Sequence, residues 1–194
     1  VTLIIGAWNY PLQLTLAPVI GAIAAGNTCI IKPPRAAIHT YHVIEKIISE
    51  NFNENYLAVL DEHSDNNEML SYRYDYIFFT GGVEIGKTIA RAAAEFLTPT
   101  TLELGGKSPC IVDKQSDVET AAKRIAWGKF LNGGQTCVAP DYLLLHDAVK
   151  EKFYKAFANS VKEFYGSNPQ DSADYPRIIN DRHFNRLSAL IKDG

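Results

Sequence analysis

Residues 76–82 read Tyr-Ile-Phe-Phe-Thr-Gly-Gly, and this short segment indicates the fold of the first half of the chain. Tyr76 to Phe79 form an apolar run typical of a buried strand. Residues 80–82 then form a turn, and a helical pattern with Gly86 near its start follows. A strand, a glycine turn and a helix in this order predict one unit of a parallel α/β sheet.

The same alternation extends outward from this segment. Further strand-like apolar runs are Val1 to Ile5, Thr28 to Ile31 and Tyr56 to Leu60. A buried helix is predicted over Leu12 to Ala25. A crossover helix is predicted over Ala36 to Glu50, where the residues at helical spacing are Val43, Ile44, Ile47 and Ile48. A second crossover helix is predicted over Ile85 to Phe96, where the residues on one side are Ile85, Ile89, Ala92, Ala93 and Phe96. Strands that alternate with helices predict a mostly parallel sheet.

The second half of the chain begins with a change of pattern. Thr100 to Lys107, with Gly105 and Gly106, reads as a connection, and we expect a domain junction near residue 105. The elements predicted after it are a strand over Pro109 to Val112 and helices over Asp117 to Leu131 and Val149 to Tyr165, with Gly166 as a helix stop.

Composition excludes several classes of protein. The 194 residues carry a net charge of −3 and no basic block, so we expect no nucleic-acid partner. The three cysteines lie far apart without a CxxC, and the five histidines have no paired spacing, so we expect neither disulfides nor a metal site. No basic segment precedes Val1, and the apolar stretch Leu12 to Ala25 is short of the roughly 20 residues that span a bilayer. We expect a reducing, cytoplasmic location.

The glycine turn after Phe79 has two interpretations. A strand, a turn and a helix N-terminus can present backbone N–H groups to a phosphate. The spacing of Gly81, Gly82 and Gly86 is not GxGxxG, however, and no P-loop motif is present. From these residues alone, a tight turn without a ligand is at least as good an interpretation.

Cys137 lies among small, flexible residues in Asn-Gly-Gly-Gln-Thr-Cys-Val-Ala-Pro, residues 132–140. Such surroundings let a substrate approach a nucleophilic thiol closely. A cysteine is more often a small buried hydrophobe, and local context alone favours that inert role. Cys29 and Cys110 lie inside strand-like runs, where the inert role is clearly favoured.

Three polar residues stand at the ends of apolar runs. Glu103 lies between apolar neighbours and a glycine pair, which indicates either a buried base with a raised pKa or a structurally paired carboxylate. Asn9 and Lys32 follow strand-like runs, where open α/β sheets bind their ligands. Each could equally cap a loop.

Taken together, these segments resemble the NAD(P)-dependent aldehyde dehydrogenase superfamily, most closely its class-3 branch of fatty and aryl aldehyde dehydrogenases. The spacing of Glu103 and Cys137 also fits that pattern. In chain order the matching pieces are Trp8-Asn9-Tyr10-Pro11, residues 21–27, Lys32-Pro33, Thr80-Gly81 with Gly86, residues 101–109, and residues 134–142. This ordered set is highly specific and covers nearly the whole chain.

The resemblance implies an α/β fold of two parts. Residues 1–104 would be a cofactor-binding domain with a Rossmann-like parallel sheet, lacking its N-terminal part. Residues 105–194 would be the N-terminal portion of an α/β catalytic domain. The chain is then expected to be the central part of a longer dehydrogenase, and the piece alone is expected to be inactive.

The resemblance also assigns roles to residues. Cys137 would attack an aldehyde to give a thiohemiacetal and then a thioester, with NAD or NADP accepting hydride. Asn9 and the Cys137 N–H would hold the oxyanion, and Glu103 would activate the hydrolytic water. At the cofactor, Lys32 would bind adenosine-ribose hydroxyls, the turn from Gly81 to Gly86 would face the pyrophosphate, and Trp8 and Pro33 would line the cleft.

Two positions depart from the family pattern. Gly82 replaces the usual serine, so phosphate contacts there must come from backbone N–H groups. Arg35 replaces a glutamate that many NAD-preferring members have. An arginine removes repulsion of a 2′-phosphate and offers it a bidentate partner, which predicts tolerance of or preference for NADP. A solvated arginine at a helix start is an equally good interpretation.

Two other functions stay open at the sequence level. The chain could be a non-catalytic relative that retains a nucleotide-binding fold, or an acylating, CoA-dependent relative, although such relatives commonly lack the glutamate at Glu103. Class-3 likeness implies a homodimer of the full-length protein acting on a small aldehyde. A C-terminal membrane tail, which some relatives have, is not visible here.

Overall fold

A computed structural model describes residues 1–193, and their contacts divide them into two compact units. The first unit is Val1–Gly105, and the second begins at Gly106. The assignment of the first unit to cofactor binding and of the second to catalysis stays a prediction.

The first unit is a five-stranded, all-parallel sheet in the order β3-β2-β1-β4-β5. Its elements are β1 (Thr2–Ile5), α1 (Pro11–Ala24), β2 (Cys29–Lys32), α2 (Ile38–Asn51), β3 (Leu57–Val59), α3 (Asn66–Leu70), β4 (Tyr76–Thr80), α4 (Val83–Glu95) and β5 (Thr100–Glu103). The predicted parallel α/β sheet is confirmed.

Both faces of this sheet are buried, which explains why its strands are nearly continuous apolar runs. On β1, Leu3 and Ile5 pack into one core with α3 and α4 residues, whereas Ile4 packs into another with α1 and α2 residues. The alternation follows from the two-residue period of a strand.

The helices of the first unit are less buried than their sequences suggest. The prediction that α1 is a buried helix is wrong, because only Thr15 and Val19 are buried and Ile20 is 69% exposed. Each helix packs only a narrow row of residues against the sheet, so apolar residues beside that row face outward. Exposed residues of this kind are Val43 and Ile47 on α2, Ile85 on α4, and Phe96 just after it.

Residues 100–103, predicted as part of a connection, form the edge strand β5. This strand pairs in parallel with β4 alone, and Thr80 lies opposite Glu103 in the register. Its two threonines suit a strand that is only half-buried, but they give it no apolar run for a sequence pattern to detect.

The second unit contains one parallel strand pair covered by helices. Its elements are β6 (Ser108–Val112), α5 (Val118–Phe130), β7 (Pro140–Leu145), α6 (Lys150–Tyr165) and α7 (Asp181–Asp193). Helices α5 and α6 pack on the pair around Val112, Ala122 and Phe153. Helix α5 begins where it does because the Asp117 carboxylate accepts hydrogen bonds from N–H groups of its first turn. The hydrogen bond from the Thr120 hydroxyl, followed by the one from the Thr120 N–H, lowers the pKa of Asp117.

Gly166 ends α6 with a φ of 79°, as its sequence position predicts. Strand β7 and helix α7 were not predicted. Within residues 1–193, no helix combines the length and apolar character needed to cross a bilayer.

Candidate active site

The carboxyl edge of the five-stranded sheet holds most of the candidate residues of the first unit. Because all five strands run in parallel, their carboxyl ends lie at the same edge. Lys32 is the last residue of β2, and Glu103 is the last residue of β5. The strand order changes direction between β1 and β4, which is where open α/β sheets bind ligands.

Lys32 and Arg35 lie together after β2. Lys32 is 9% exposed, and its Nζ lies 3.3 Å from the backbone oxygen of Ser64, to which it donates. Arg35, exposed in a 3₁₀ turn ahead of α2, donates to the same oxygen at 2.6 Å. Burial, and then the charge of Arg35, lowers the pKa of Lys32. Pro33 is fully buried. The shared oxygen of Ser64, a backbone group without a sequence signal, was not predicted.

The glycine turn leads into the N-terminus of α4. Gly82 is the residue before the helix and has no side chain to cap it, so the first-turn N–H groups suit an anionic group. A Cβ on Gly81 would lie 2.4 Å from the Phe79 ring, and one on Gly86 would lie 2.8 Å from a Leu104 methyl carbon. Close packing thus gives a structural reason for two of the three glycines.

Thr80, which sequence reasoning did not single out, ends β4 beside this turn. It is 8% exposed, and in residues 1–193 its hydroxyl oxygen has no hydrogen-bond partner. A buried hydroxyl without a partner is uncommon and calls for an explanation. The signal that could have found it is a threonine placed directly before two glycines at a strand end.

Asn9 and Glu103 differ in their surroundings. Trp8 and Asn9 are half-buried in the bend between β1 and α1, and Asn9 lines an open groove with His39 and Thr40. The Glu103 side chain is exposed in the described residues, so the expectation of a buried carboxylate is wrong, whereas the alternative of a structurally paired carboxylate stays a prediction. The edge position of β5 explains the exposure. The backbone oxygen of Glu103 accepts a hydrogen bond from the Gly81 N–H at 2.9 Å.

Cys137 lies in the second unit, after a left-handed turn. The φ angles of Asn132, Gly133 and Gly134 are 54°, 63° and 77°, a backbone conformation that glycine adopts without strain. Cys137 is half-buried in the next turn, closed by a 3.2 Å hydrogen bond from the Ala139 N–H to the Thr136 oxygen. Two successive turns therefore define the backbone that carries the thiol.

Gly106 lies against this cysteine within the second unit. A Cβ on Gly106 would lie 2.1 Å from the Cys137 backbone oxygen. Only a glycine therefore lets the two backbones approach this closely.

The other two cysteines have core environments. Cys29 is buried in the first unit, and burial raises the pKa of its thiol, which disfavours the reactive thiolate. Cys110 packs against the core of the second unit. Among residues 1–193, no group of three or more histidine, cysteine or acidic side chains is arranged to hold a metal ion.

The first unit thus has the architecture of a doubly wound, parallel α/β domain, and the second presents a cysteine shortly after a left-handed turn. Residues 1–194 match the aldehyde dehydrogenase family model. The chain belongs to the aldehyde dehydrogenase family.

Individual relatives agree with this assignment. The chain is 49% identical over 192 residues to the rat (Rattus norvegicus) "Aldehyde dehydrogenase, dimeric NADP-preferring". This match covers 98% of the present chain and 42% of the rat protein. A substrate-bound structure of Staphylococcus aureus AldH matches with a TM-score of 0.89 at 47% identity, over 98% of this chain and 42% of that one. Mycobacterium tuberculosis aldehyde dehydrogenase complexed with NAD+ matches with a TM-score of 0.82 at 29% identity, over 98% and 40%.

Proposed function

We propose that this chain is the central part of an enzyme that oxidises an aldehyde to a carboxylic acid with NAD+ or NADP+. The observation that carries the proposal is the set of candidate residues at one edge of a dinucleotide-binding type of sheet, in a chain that belongs to the aldehyde dehydrogenase family. The chain spans about 42% of the length of the rat relative, so the activity of the whole protein stays a proposal.

Cys137 is proposed as the nucleophile. Its Sγ attacks the aldehyde carbon, and the former carbonyl oxygen carries negative charge in the tetrahedral adduct. The side-chain amide of Asn9 and the backbone N–H of Cys137 are proposed to donate hydrogen bonds to that oxygen, where charge develops only during reaction. The half-burial of Cys137 supports the role, because it leaves part of the residue accessible.

Glu103 is proposed as the general base that takes a proton from water as the water oxygen attacks the thioester carbon. The carbon–sulfur bond then breaks, its electron pair returns to the Cys137 sulfur, and the carboxylic acid is released. Its exposed side chain supports this role, because water can reach the carboxylate oxygens.

The cofactor is proposed to bind at the carboxyl edge of the first unit. Lys32 and Arg35 supply positive charge, the capless N-terminus of α4 suits a pyrophosphate, and the unpartnered Thr80 hydroxyl adds a polar group. Trp8 is proposed to line the cleft, whereas the full burial of Pro33 does not support the direct contact with the cofactor that the resemblance implies. When bound, the nicotinamide would supply the hydride acceptor that the oxidation needs.

Arg35 is proposed to favour NADP. A guanidinium can bind a phosphate with two parallel hydrogen bonds, whereas a carboxylate at this position would repel it. The 2.6 Å contact with Ser64 supports the proposal, because it holds Arg35 beside Lys32 rather than free in solvent.

The deciding experiment measures NAD(P)H formation by the full-length protein with medium-chain and aromatic aldehydes. We expect Cys137→Ala to lower turnover by at least about 1,000-fold, and Cys110→Ala, the matched control in the same unit, to retain it. Glu103→Gln should keep a single-turnover burst but stop steady-state turnover. Full turnover by Cys137→Ala, or neither turnover nor a burst from the wild type, would refute the enzymatic proposal.

A homodimer is proposed for the full-length protein, on the ground that the similar rat protein is named as dimeric. Sedimentation at micromolar concentration would test it. The 194-residue chain on its own is proposed to be inactive, and the same NAD(P)H assay on this piece beside the full-length protein tests that statement.

A further inference from the structure

We propose that Gln135 is a positioning residue for Cys137, because its side-chain amide fastens the loop that carries the thiol to residues 175–179. The inference rests on the proposed role of Cys137 as nucleophile. We call residues 132–137 the thiol loop and residues 175–179 the anchor segment.

The amide group of Gln135 forms hydrogen bonds to both the thiol loop and the anchor segment. Its Nε2 donates to the backbone oxygens of Asn132 at 2.9 Å and Arg177 at 3.2 Å. Its Oε1 accepts from the backbone N–H of Ile179 at 3.0 Å. One side chain thus joins the thiol loop to backbone groups more than 40 residues further along the chain.

The thiol loop depends on these hydrogen bonds because no regular secondary structure holds it. Residues 132–134 are left-handed, and residues 135 and 136 belong to no helix or strand. The Gln135 N–H and side chain both donate to the Asn132 oxygen, which closes the left-handed turn two residues before Cys137. A free loop of this composition would sample many conformations.

The anchor segment is itself fixed to helices. The Tyr175 ring lies 4.9 Å from the ring of Tyr165 at the end of α6 and 6.2 Å from the ring of Phe130 at the end of α5. The Arg177 guanidinium donates to the Tyr175 backbone oxygen at 3.2 Å and to the Gln170 backbone oxygen. Through Gln135, the thiol loop is therefore tied to the packed part of the unit.

The consequence is chemical rather than only structural. A displacement of about 1 Å in a reacting group can cost on the order of 100-fold in rate. Loss of the Gln135 contacts would leave Cys137 in the folded protein but spread its thiol over several positions. The expected signature is slower chemistry at Cys137 with little change in cofactor binding.

The test compares Gln135→Glu with Gln115→Glu in the full-length protein. Gln135→Glu keeps the side-chain length and an acceptor for the Ile179 N–H, but it replaces Nε2 by a carboxylate oxygen that faces the carbonyl oxygens of Asn132 and Arg177. Gln115 is exposed in the turn between β6 and α5, so its replacement makes the same chemical change away from the loop. The readouts are the NAD(P)H burst rate, the Kd for the cofactor, and alkylation of Cys137 by iodoacetamide, followed on its peptide.

Gln135→Glu should lower the burst rate and the alkylation rate by at least about 10-fold per folded molecule, while its Kd for the cofactor stays within about twofold of wild type. All three quantities should stay within about twofold of wild type in Gln115→Glu. The alkylation rate relative to wild type should recover as the pH falls, because a protonated carboxyl can again donate one hydrogen bond. A merely structural role would lower the folded fraction without this pH dependence, and that result, or rates within twofold of wild type, would overturn the proposal.

If Gln135→Glu does not fold, amide hydrogen exchange in the wild type decides the matter. Ile179 lies outside helices and strands, so slow exchange of its N–H is expected from the Gln135 contact, and unprotected exchange would overturn the proposal. Absence of any NAD(P)H formation by the wild type would instead refute the proposed function, and the alkylation and exchange results would still decide the role of Gln135.

Discussion

The two units hold their candidate residues by different means. In the first unit, Lys32 and Glu103 are final residues of parallel strands, so the ladder of backbone hydrogen bonds sets their positions. In the second unit, Cys137 lies on a loop held by hydrogen bonds of the Gln135 side-chain amide and by a close backbone contact with Gly106. Regular structure tolerates most single substitutions near such residues, whereas a loop held by a few specific contacts should be sensitive to each.

The strongest test of that difference is Gly106→Ala. A methyl group there would meet the Cys137 backbone oxygen at 2.1 Å, and neither backbone group can move aside cheaply. We expect about 1–3 kcal/mol of destabilisation and a loss of turnover on the order of 100-fold, measured by urea unfolding and NAD(P)H formation. Gly105→Ala is the matched control, because a Cβ there has no atom within 4 Å. Equal behaviour of the two variants would contradict the close contact.

The two units also differ in what their sequences revealed. In the first, the alternation of apolar runs and helical patterns predicts four of the five strands and the α1, α2 and α4 helices, because burial on both sheet faces forces that pattern. The missing strand, β5, lies at an edge and carries Thr100 and Thr101 in place of a buried run. The sequence pattern is therefore most informative where burial is complete.

In the second unit, sequence shows which residues are small but not what holds them. Gly133 and Gly134 indicate a flexible loop, and only the resemblance to a family suggests that Cys137 is reactive. The contacts of Gln135 with Arg177 and Ile179 span a sequence distance that no local pattern records. Likewise, the exposure of Glu103 follows from the edge position of its strand, which depends on the strand order and not on its neighbours in sequence.

A second test concerns charge at the edge of the first unit. If Arg35 binds a 2′-phosphate, Arg35→Glu should lower the ratio of kcat/KM for NADP to that for NAD by roughly 10- to 100-fold. Arg73→Glu makes the same change of charge just before β4, near the amino-terminal ends of the strands, and should leave the ratio unchanged. An unchanged ratio in Arg35→Glu would support the solvated-arginine interpretation instead.

A third test concerns a side-chain hydrogen bond to the chain segment between β3 and Ser64. The Tyr41 hydroxyl on α2 donates to the backbone oxygen of Leu60, just after β3, and burial, followed by the nearby charge of Glu45, raises the pKa of Tyr41 to about 12. The folded protein therefore holds this proton above pH 10, where the unfolded chain releases it, so stability falls as pH rises through that range.

Relative to Tyr41→Phe, the wild type should lose about 1 kcal/mol of unfolding free energy between pH 8 and pH 11. Urea midpoints across this range measure it in the full-length protein. Tyr56→Phe, at an exposed tyrosine of the same unit, is the control. A constant difference between wild type and Tyr41→Phe across the range would show that Tyr41 titrates alike in both states.

The smallest expected effect is at Gly82, where the comparison predicts tolerance. A Cβ on Gly82 has no atom within 4 Å, and the residue precedes α4 in an extended conformation that any residue can adopt. Gly82→Ser adds a hydroxyl that can accept from first-turn N–H groups, so we expect a gain of roughly 0.3 kcal/mol in unfolding free energy, whereas Gly82→Ala, which cannot accept, should lose a similar amount. Thermal unfolding of the two variants measures the difference. A large loss in both would mean that this turn, like the thiol loop, depends on specific contacts, and the contrast between the two units would then fail at the position where it is easiest to test.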